Sequence, residues 1–122
     1  IPILLMDTKI DLSYLKEVTG GSTEIIQEML ELFLSETQGQ IEQLKEKCTA
    51  SEWEDVKAEA HKLKPTFLYV GLKDIHAKLE AIESNARNKE NLKDLSILIN
   101  SVEKEFNSVK GEVKDLIQQF NA

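Results

Sequence analysis

Apolar residues recur along this chain at steps of three and four, the repeat that lines one face of an α-helix, and no stretch alternates as a half-buried strand would. A short first helix is predicted around Leu12, Leu15 and Val18, with Asp11 as its cap and Gly20-Gly21 as its stop. Ser22 offers the next N-cap and Glu24 complements the dipole of the first turn. Ile26, Met29, Leu30, Phe33, Ile41 and Leu44 then carry a second helix to about Lys47, with Gly39 inside it at a cost of about 1 kcal/mol against Ala. A capping box is expected at residues 51–54, Ser51 with Glu54, opening a third helix whose stripe is Trp53, Val56, Ala60, Leu63, Phe67 and Val70. Gly71 ends or bends it. A fourth helix follows on Leu72, Ile75, Leu79 and Ile82 and fades into the polar residues 84–91. The last helix carries Leu92, Leu95, Ile99, Val102, Phe106, Val109, Val113, Leu116 and Phe120, with Gly111 weakening its C-terminal end. Short connections and one apolar stripe per helix predict an all-α fold: an antiparallel four-helix bundle with a short N-terminal covering helix. Cys48 and Trp53 read as packing residues.

Composition narrows this picture to one small acidic domain spanning residues 1–122. Hydrophobic residues make up 41% and charged residues 30%, enough apolar content for a core without disulfides or metal. The formal charge of −7 argues against a partner with a phosphate backbone or an anionic membrane surface. The single cysteine cannot form an internal disulfide, which fits a reducing compartment, and a cytoplasmic location is expected. The apolar run of residues 1–6 is interrupted by Pro2 and is too short to span a bilayer. The chain does not open on Met, so a longer parent protein with upstream domains is expected.

Candidate chemistry concentrates on the third helix. The core stripe uses positions 60 and 63, which turns His61 partly away from the interior. Lys57, Lys62 and Lys64 surround it, with no acidic residue between positions 60 and 73. Neighbouring cations favour the neutral, nucleophilic imidazole and would stabilise a phosphoryl group placed on it. The alternative is an ordinary solvated histidine on a basic helix face. Pro65 adds weight, because a proline inside a helix costs about 3 kcal/mol and removes the backbone donor that the His61 carbonyl would otherwise use. An ordinary kink that fits the helix around the bundle is the bland reading of the same residue. His76, near Lys73 and Asp74, is a weaker candidate, read as a surface or half-buried residue.

The run His61-Lys62-Leu63-Lys64-Pro65-Thr66, followed by Gly71-Leu72, resembles the phosphoacceptor motif of histidine-containing phosphotransfer (HPt) domains, His-x-Leu-Lys-Gly-Ser with a Gly-Leu helix junction. Leu15 through Gly21, Glu28 through Leu34, and Leu79-Glu80 or Ile82-Glu83 extend the resemblance over residues 10–90, with the long final helix at about 91–121 beyond it. The resemblance implies a phosphorelay intermediate that takes a phosphoryl group from an aspartyl phosphate on one receiver domain and passes it to another. It implies His61 as phosphoacceptor through its solvent-facing ring nitrogen and Lys64 as a holder of phosphoryl oxygens, with Lys57 and Lys62 nearby. Thr66 stands for the motif's small hydroxyl residue and Gly71 for its junction glycine. Pro65 departs from the motif's glycine, which bears on the choice of receiver more than on the histidine's role. Docking is expected around Leu68, Tyr69 and Lys57, with apolar residues of the second helix. The domain would be a phosphocarrier and not an independent enzyme, with no cofactor or metal of its own, since Mg²⁺ belongs to the receiver. Its partners would be response-regulator receivers and a hybrid sensor histidine kinase, in the same parent chain or a separate one, and the domain would act as a monomer.

Three other readings bear comparison. A histidine-kinase dimerisation region would show His-Glu-Leu-Arg-Thr-Pro, whereas here Lys62 replaces the acid and proline arrives one position early. A ferritin-like metal bundle needs Glu-x-x-His, and the residues three before the histidines are Ala58 and Lys73. A helical adapter that carries no phosphate fits the same composition.

Overall fold

The computed structural model describes residues 10–121. Its helices are α1 (Ser13–Val18), α2 (Thr23–Thr49), α3 (Trp53–Tyr69), α4 (Lys73–Asn88) and α5 (Leu95–Asn121), with a 3₁₀ turn at Leu92–Asp94 and no strand among the described residues. Each long helix packs on two others, α2 on α3 and α5, and α4 on α3 and α5, with the α3–α4 seam the most extensive. Side-chain pairs show consecutive helices running antiparallel. Lys47 near the end of α2 meets Glu52 and Asp55 at the start of α3, whereas Phe33, much earlier on α2, meets Phe67 near the end of α3. The predicted four-helix bundle with a short covering helix is therefore the fold observed.

The core is the set of stripes read from the sequence. Phe33, Phe67 and Phe106, from α2, α3 and α5, meet edge to face with centroids 5.5, 5.3 and 6.4 Å apart. Each buried ring contributes about 2–3 kcal/mol of apolar burial, and together they fix α3 against both flanking helices. Trp53 and Cys48 are half-buried against this core, and burial pushes the Cys48 thiol pKa up. Gly111 faces open space and α5 continues through it. No helix among the described residues is long and apolar enough to cross a membrane, and the apolar run of residues 1–6 lies outside them.

Several helix ends differ from expectation. Ser51 does not cap α3: it sits in the left-handed region at φ 58°, and its N–H donates to the Cys48 carbonyl while that of Glu52 donates to Lys47. These two bonds close α2, so the serine serves the exit of one helix and not the entry of the next, and Glu52 takes the N-cap position without a side-chain bond. Val18, expected on the apolar face of α1, is exposed, because six residues bury only Leu15. Leu12 holds the N-cap position of α1, yet Asp11 Oδ1 still accepts from the Ser13 N–H at 2.9 Å. Ser22 caps α2 as expected, accepting from the Ile25 N–H at 3.3 Å.

At the α3–α4 junction Gly71 adopts φ +77°, and a Cβ there would stand 2.5 Å from Asp11 Cβ. The Asp11 N–H donates to the Val70 carbonyl at 2.9 Å, and the Ile10 N–H donates to Glu112 at 3.0 Å. The chain entering α1 is thus tied both to the turn that follows α3 and to α5.

Candidate functional site

On α3, Lys57, His61, Lys64 and Leu68 recur at steps of three and four along the solvent side of the α4 seam, with Pro65 beside Lys64. On α4 the matching row is His76, Glu80, Glu83 and Arg87, running the other way. The His61 side chain is 69% exposed, and its Nδ1 lies 3.0 Å from Glu83 Oε2. Glu83 is buried on the seam and gathers two further cations. Lys64 Nζ stands 2.6 Å from its Oε1, and Arg87 Nη2 donates to its Oε2 at 2.9 Å. Burial pushes the Glu83 carboxyl pKa up, but the Lys64 ammonium and the His61 ring outweigh it and leave it below the ordinary value of 4.5. The bond to Glu83, and to a lesser extent the Glu83 and Glu80 charges, hold the Lys64 ammonium above 10.5 against the effect of its own burial.

The geometry decides the histidine's tautomer. An ionised carboxylate only accepts, so Nδ1 carries the proton in the neutral ring and Nε2 is left with its lone pair, on a side chain that is mostly in solvent. The arrangement is that of an accessible nitrogen nucleophile with a fixed anion behind it.

This corrects the cation-ringed histidine expected from the sequence. Each flanking lysine already has a carboxylate: Lys57 with Glu54 at 2.9 Å, Lys62 with Glu59 at 3.5 Å, and Lys64 with Glu83 and, at 3.7 Å, Glu80. The partners come from the preceding turn and from α4, which the empty interval 60–73 conceals. The charged group that touches the imidazole is Glu83.

His61, Lys64, Pro65, Leu68, Tyr69, His76 and Tyr14 line one groove of about 330 Å³. Pro65 lies inside α3, which stays helical through it. Tyr14 of α1 stacks on Tyr69 with centroids 5.6 Å apart, forming the end wall. Thr66 is not in this groove. It faces a second cleft of about 170 Å³ between α1, α2 and α3, with Leu15, Met29, Leu32, Phe33, Glu36 and Tyr69 among its walls. Gly71 stands at the junction against Asp11, away from both. Glu83, Arg87 and Tyr14 were not identified as site residues from the sequence. The Glu83–Arg87 pair was readable as an i,i+4 match, but nothing local places it beside His61. Among the described residues no three or more His, Cys, Asp or Glu side chains gather as a metal site would require.

Comparison with known proteins gives the arrangement a context. A family model described as the Hpt domain matches residues 28–122. Curated protein sequences give no match. Among solved structures, histidine-containing phosphotransfer protein B from Pseudomonas aeruginosa PAO1 superposes with a TM-score of 0.82 at 19% identity, covering 93% of this chain and 97% of that one. The HPT domain of an Hpt sensor hybrid histidine kinase from Shewanella gives 0.78 at 19% identity with the same coverage. At that identity the two likenesses establish a common fold.

Proposed function

The chain belongs to the Hpt domain family, and from that premise we propose that it is a phosphorelay intermediate whose phosphoryl group travels on His61. What carries the assignment to this residue is the bond from Nδ1 to buried Glu83, which leaves the Nε2 lone pair available on a mostly exposed side chain. In the transfer, Nε2 attacks the phosphorus of a receiver's aspartyl phosphate. The new P–N bond forms as the bond from phosphorus to the aspartyl oxygen breaks, and the carboxylate leaves with that electron pair. No proton moves. The ring acquires positive charge as the bond forms, and the fixed Glu83 carboxylate lies 3.0 Å from the far nitrogen to stabilise it. The reverse step delivers the group to a second receiver.

Lys64 is the flanking lysine that lines the same groove, and we assign it to the phosphoryl oxygens, with Lys57 and Lys62 secondary. The transferring machinery comes largely with the partner, whose Mg²⁺ screens the phosphoryl charge, so this chain acts as a phosphocarrier and docking surface. Receiver domains are the partners of such a domain, and a hybrid kinase is the natural upstream donor.

The test is incubation with phosphoramidate, read by intact mass and phosphorus NMR. One acid-labile adduct is expected in the parent chain and in His76→Gln, and none in His61→Gln. No adduct under conditions that label another Hpt domain would replace this reading with a helical adapter.

A further inference from the structure

Four of the five exposed large hydrophobics among the described residues lie on α1 and α2: Tyr14, Val18, Ile25 and Leu32, the last 56% exposed. They are not scattered. Tyr69 is a wall of both the groove at His61 and the 170 Å³ cleft, Tyr14 stacks on it, and Leu32 and Met29 line the cleft's other side. Tyr69 therefore joins the apolar walls of the two clefts, Leu32 and Met29 on one side and Pro65 and Leu68 beside His61 on the other. Ile25 and Leu32 are seven positions apart, so they share one line along α2, and Glu28 and Glu36 border that line within a fraction of a turn.

Charge on this face is unbalanced. Residues 11–44 contain seven carboxylates and one lysine, Lys16. Among the described residues no cation is within ion-pair distance of Glu17, Glu24, Glu28, Glu31 or Glu36, although the Gln27 amide donates to Glu31. Across the α3–α4 seam every lysine beside His61 is already paired within the chain. The lysines near the histidine are thus partly neutralised within the chain, while the carboxylates of α1 and α2 that a partner would meet have no such cation beside them among the described residues.

We propose that this acid-edged apolar track selects the receiver. The favoured partner presents an apolar contact for the cleft beside Tyr69 and Leu32, bordered by lysine or arginine that meets Glu28 and Glu36. The inference rests on the phosphocarrier reading and specifies its partner by chemistry. Complementary charge at the border acts chiefly on association, so it raises the rate of encounter and makes it sensitive to salt. The apolar anchor acts on the lifetime of the complex.

The experiment labels the full chain with phosphoramidate and follows phosphoryl transfer to a panel of purified receiver domains with basic or acidic surfaces around the acceptor aspartate. The basic receivers are expected to accept fastest, with rates falling about tenfold between about 0.02 and 0.3 M salt. With the best acceptor, Glu36→Lys is expected to slow transfer about tenfold at low salt, while Glu90→Lys, an equal charge change elsewhere, alters it less than about twofold. Leu32→Ala, at an exposed position that leaves the fold intact, is expected to slow transfer about tenfold at every salt concentration. Labelling by phosphoramidate should be the same in all three. Equal effects of Glu36→Lys and Glu90→Lys, preference for acidic receivers, or unimpaired transfer by Leu32→Ala would each overturn the proposal while leaving the phosphocarrier reading in place. So would a concentration-dependent dimer that Leu32→Ala abolishes, since a second copy would then occupy the track. Failure to label His61, or transfer to no receiver at all, would remove the phosphocarrier reading itself.

Discussion

Glu83 does three things from one buried position: it fixes the His61 tautomer, anchors Lys64 and holds Arg87. Its charge and its hydrogen-bonding capacity can be separated, because glutamine keeps an acceptor for Nδ1–H and loses only the anion. The charge matters most when the ring becomes cationic on phosphorylation, where a hydrogen bond to an ionised partner is worth about 1.5–3 kcal/mol. Glu83→Gln is therefore expected to slow labelling of His61 by phosphoramidate about 10- to 100-fold, measured from the growth of the P–N phosphorus resonance. A change below twofold would mean that the carboxylate only orients the ring. This residue also marks where reading the sequence stops. His61 stood out because its neighbours in the chain are unusual, but Glu83 is 22 positions away and its relation to His61 depends on how two helices align. The lysines are visible in the sequence, whereas the α4 carboxylates that pair with Lys64 and touch the imidazole become its neighbours only through the helix packing.

At the level of elements, α1 to α4 all leave through a left-handed residue: Gly20, Ser51, Gly71 and Lys89. Glycine marks two of these ends in the sequence, and both helices stop there. Ser51 and Lys89 pay the steric cost of positive φ without announcing it, which is why Ser51 was read as the start of α3. The apolar stripes, by contrast, were legible throughout, because in a bundle each helix buries one face and periodicity reports that directly. Pro65 is the element-scale exception. It keeps α3 helical but denies the His61 carbonyl its donor four residues on, a loss that Ala would restore. Pro65→Ala is expected to stabilise the fold by about 1–3 kcal/mol, since the position is exposed and the helix already runs through it. Thermal denaturation should show a midpoint higher by about 3–10 °C; an unchanged or lower midpoint would mean the helix has adapted to proline in a way that alanine cannot use.

For the molecule as a whole, ion pairs across the seams set the dependence of stability on pH. The Lys45 ammonium holds the Glu103 carboxyl below its ordinary 4.5, and Glu83 is lowered by Lys64 and His61 against its own burial. A carboxyl lowered on folding contributes stability that is present above the unfolded value and lost as pH falls through the folded one. Bonds to Glu103, Glu52 and Glu83 raise Lys45, Lys47 and Lys64 above 10.5, so their contribution is full below that value and lost as pH climbs through the folded ones. The thermal midpoint should therefore fall away below about pH 4.5 and again above about pH 10.5. Glu83→Gln should make the acid limb shallower, as followed by circular dichroism at 222 nm on the order of each half pH unit. An acid limb identical to that of the parent chain would show that Glu83 does not contribute to it.

The link between His61 and Glu83 spans only 22 residues and closes within two consecutive helices and their three-residue turn. Few chain conformations must be searched to form it, because loop closure over so short a distance is quick and each helix propagates locally. The proposed phosphoacceptor and its counter-charge are thus expected to meet as soon as one hairpin condenses. The Tyr14–Tyr69 wall is different: it waits for α1 to fold back over 55 positions of sequence. His61 and Glu83 are therefore expected to meet earlier in folding than Tyr14 and Tyr69, so the proposed phosphoacceptor would be assembled before the wall that a partner would read.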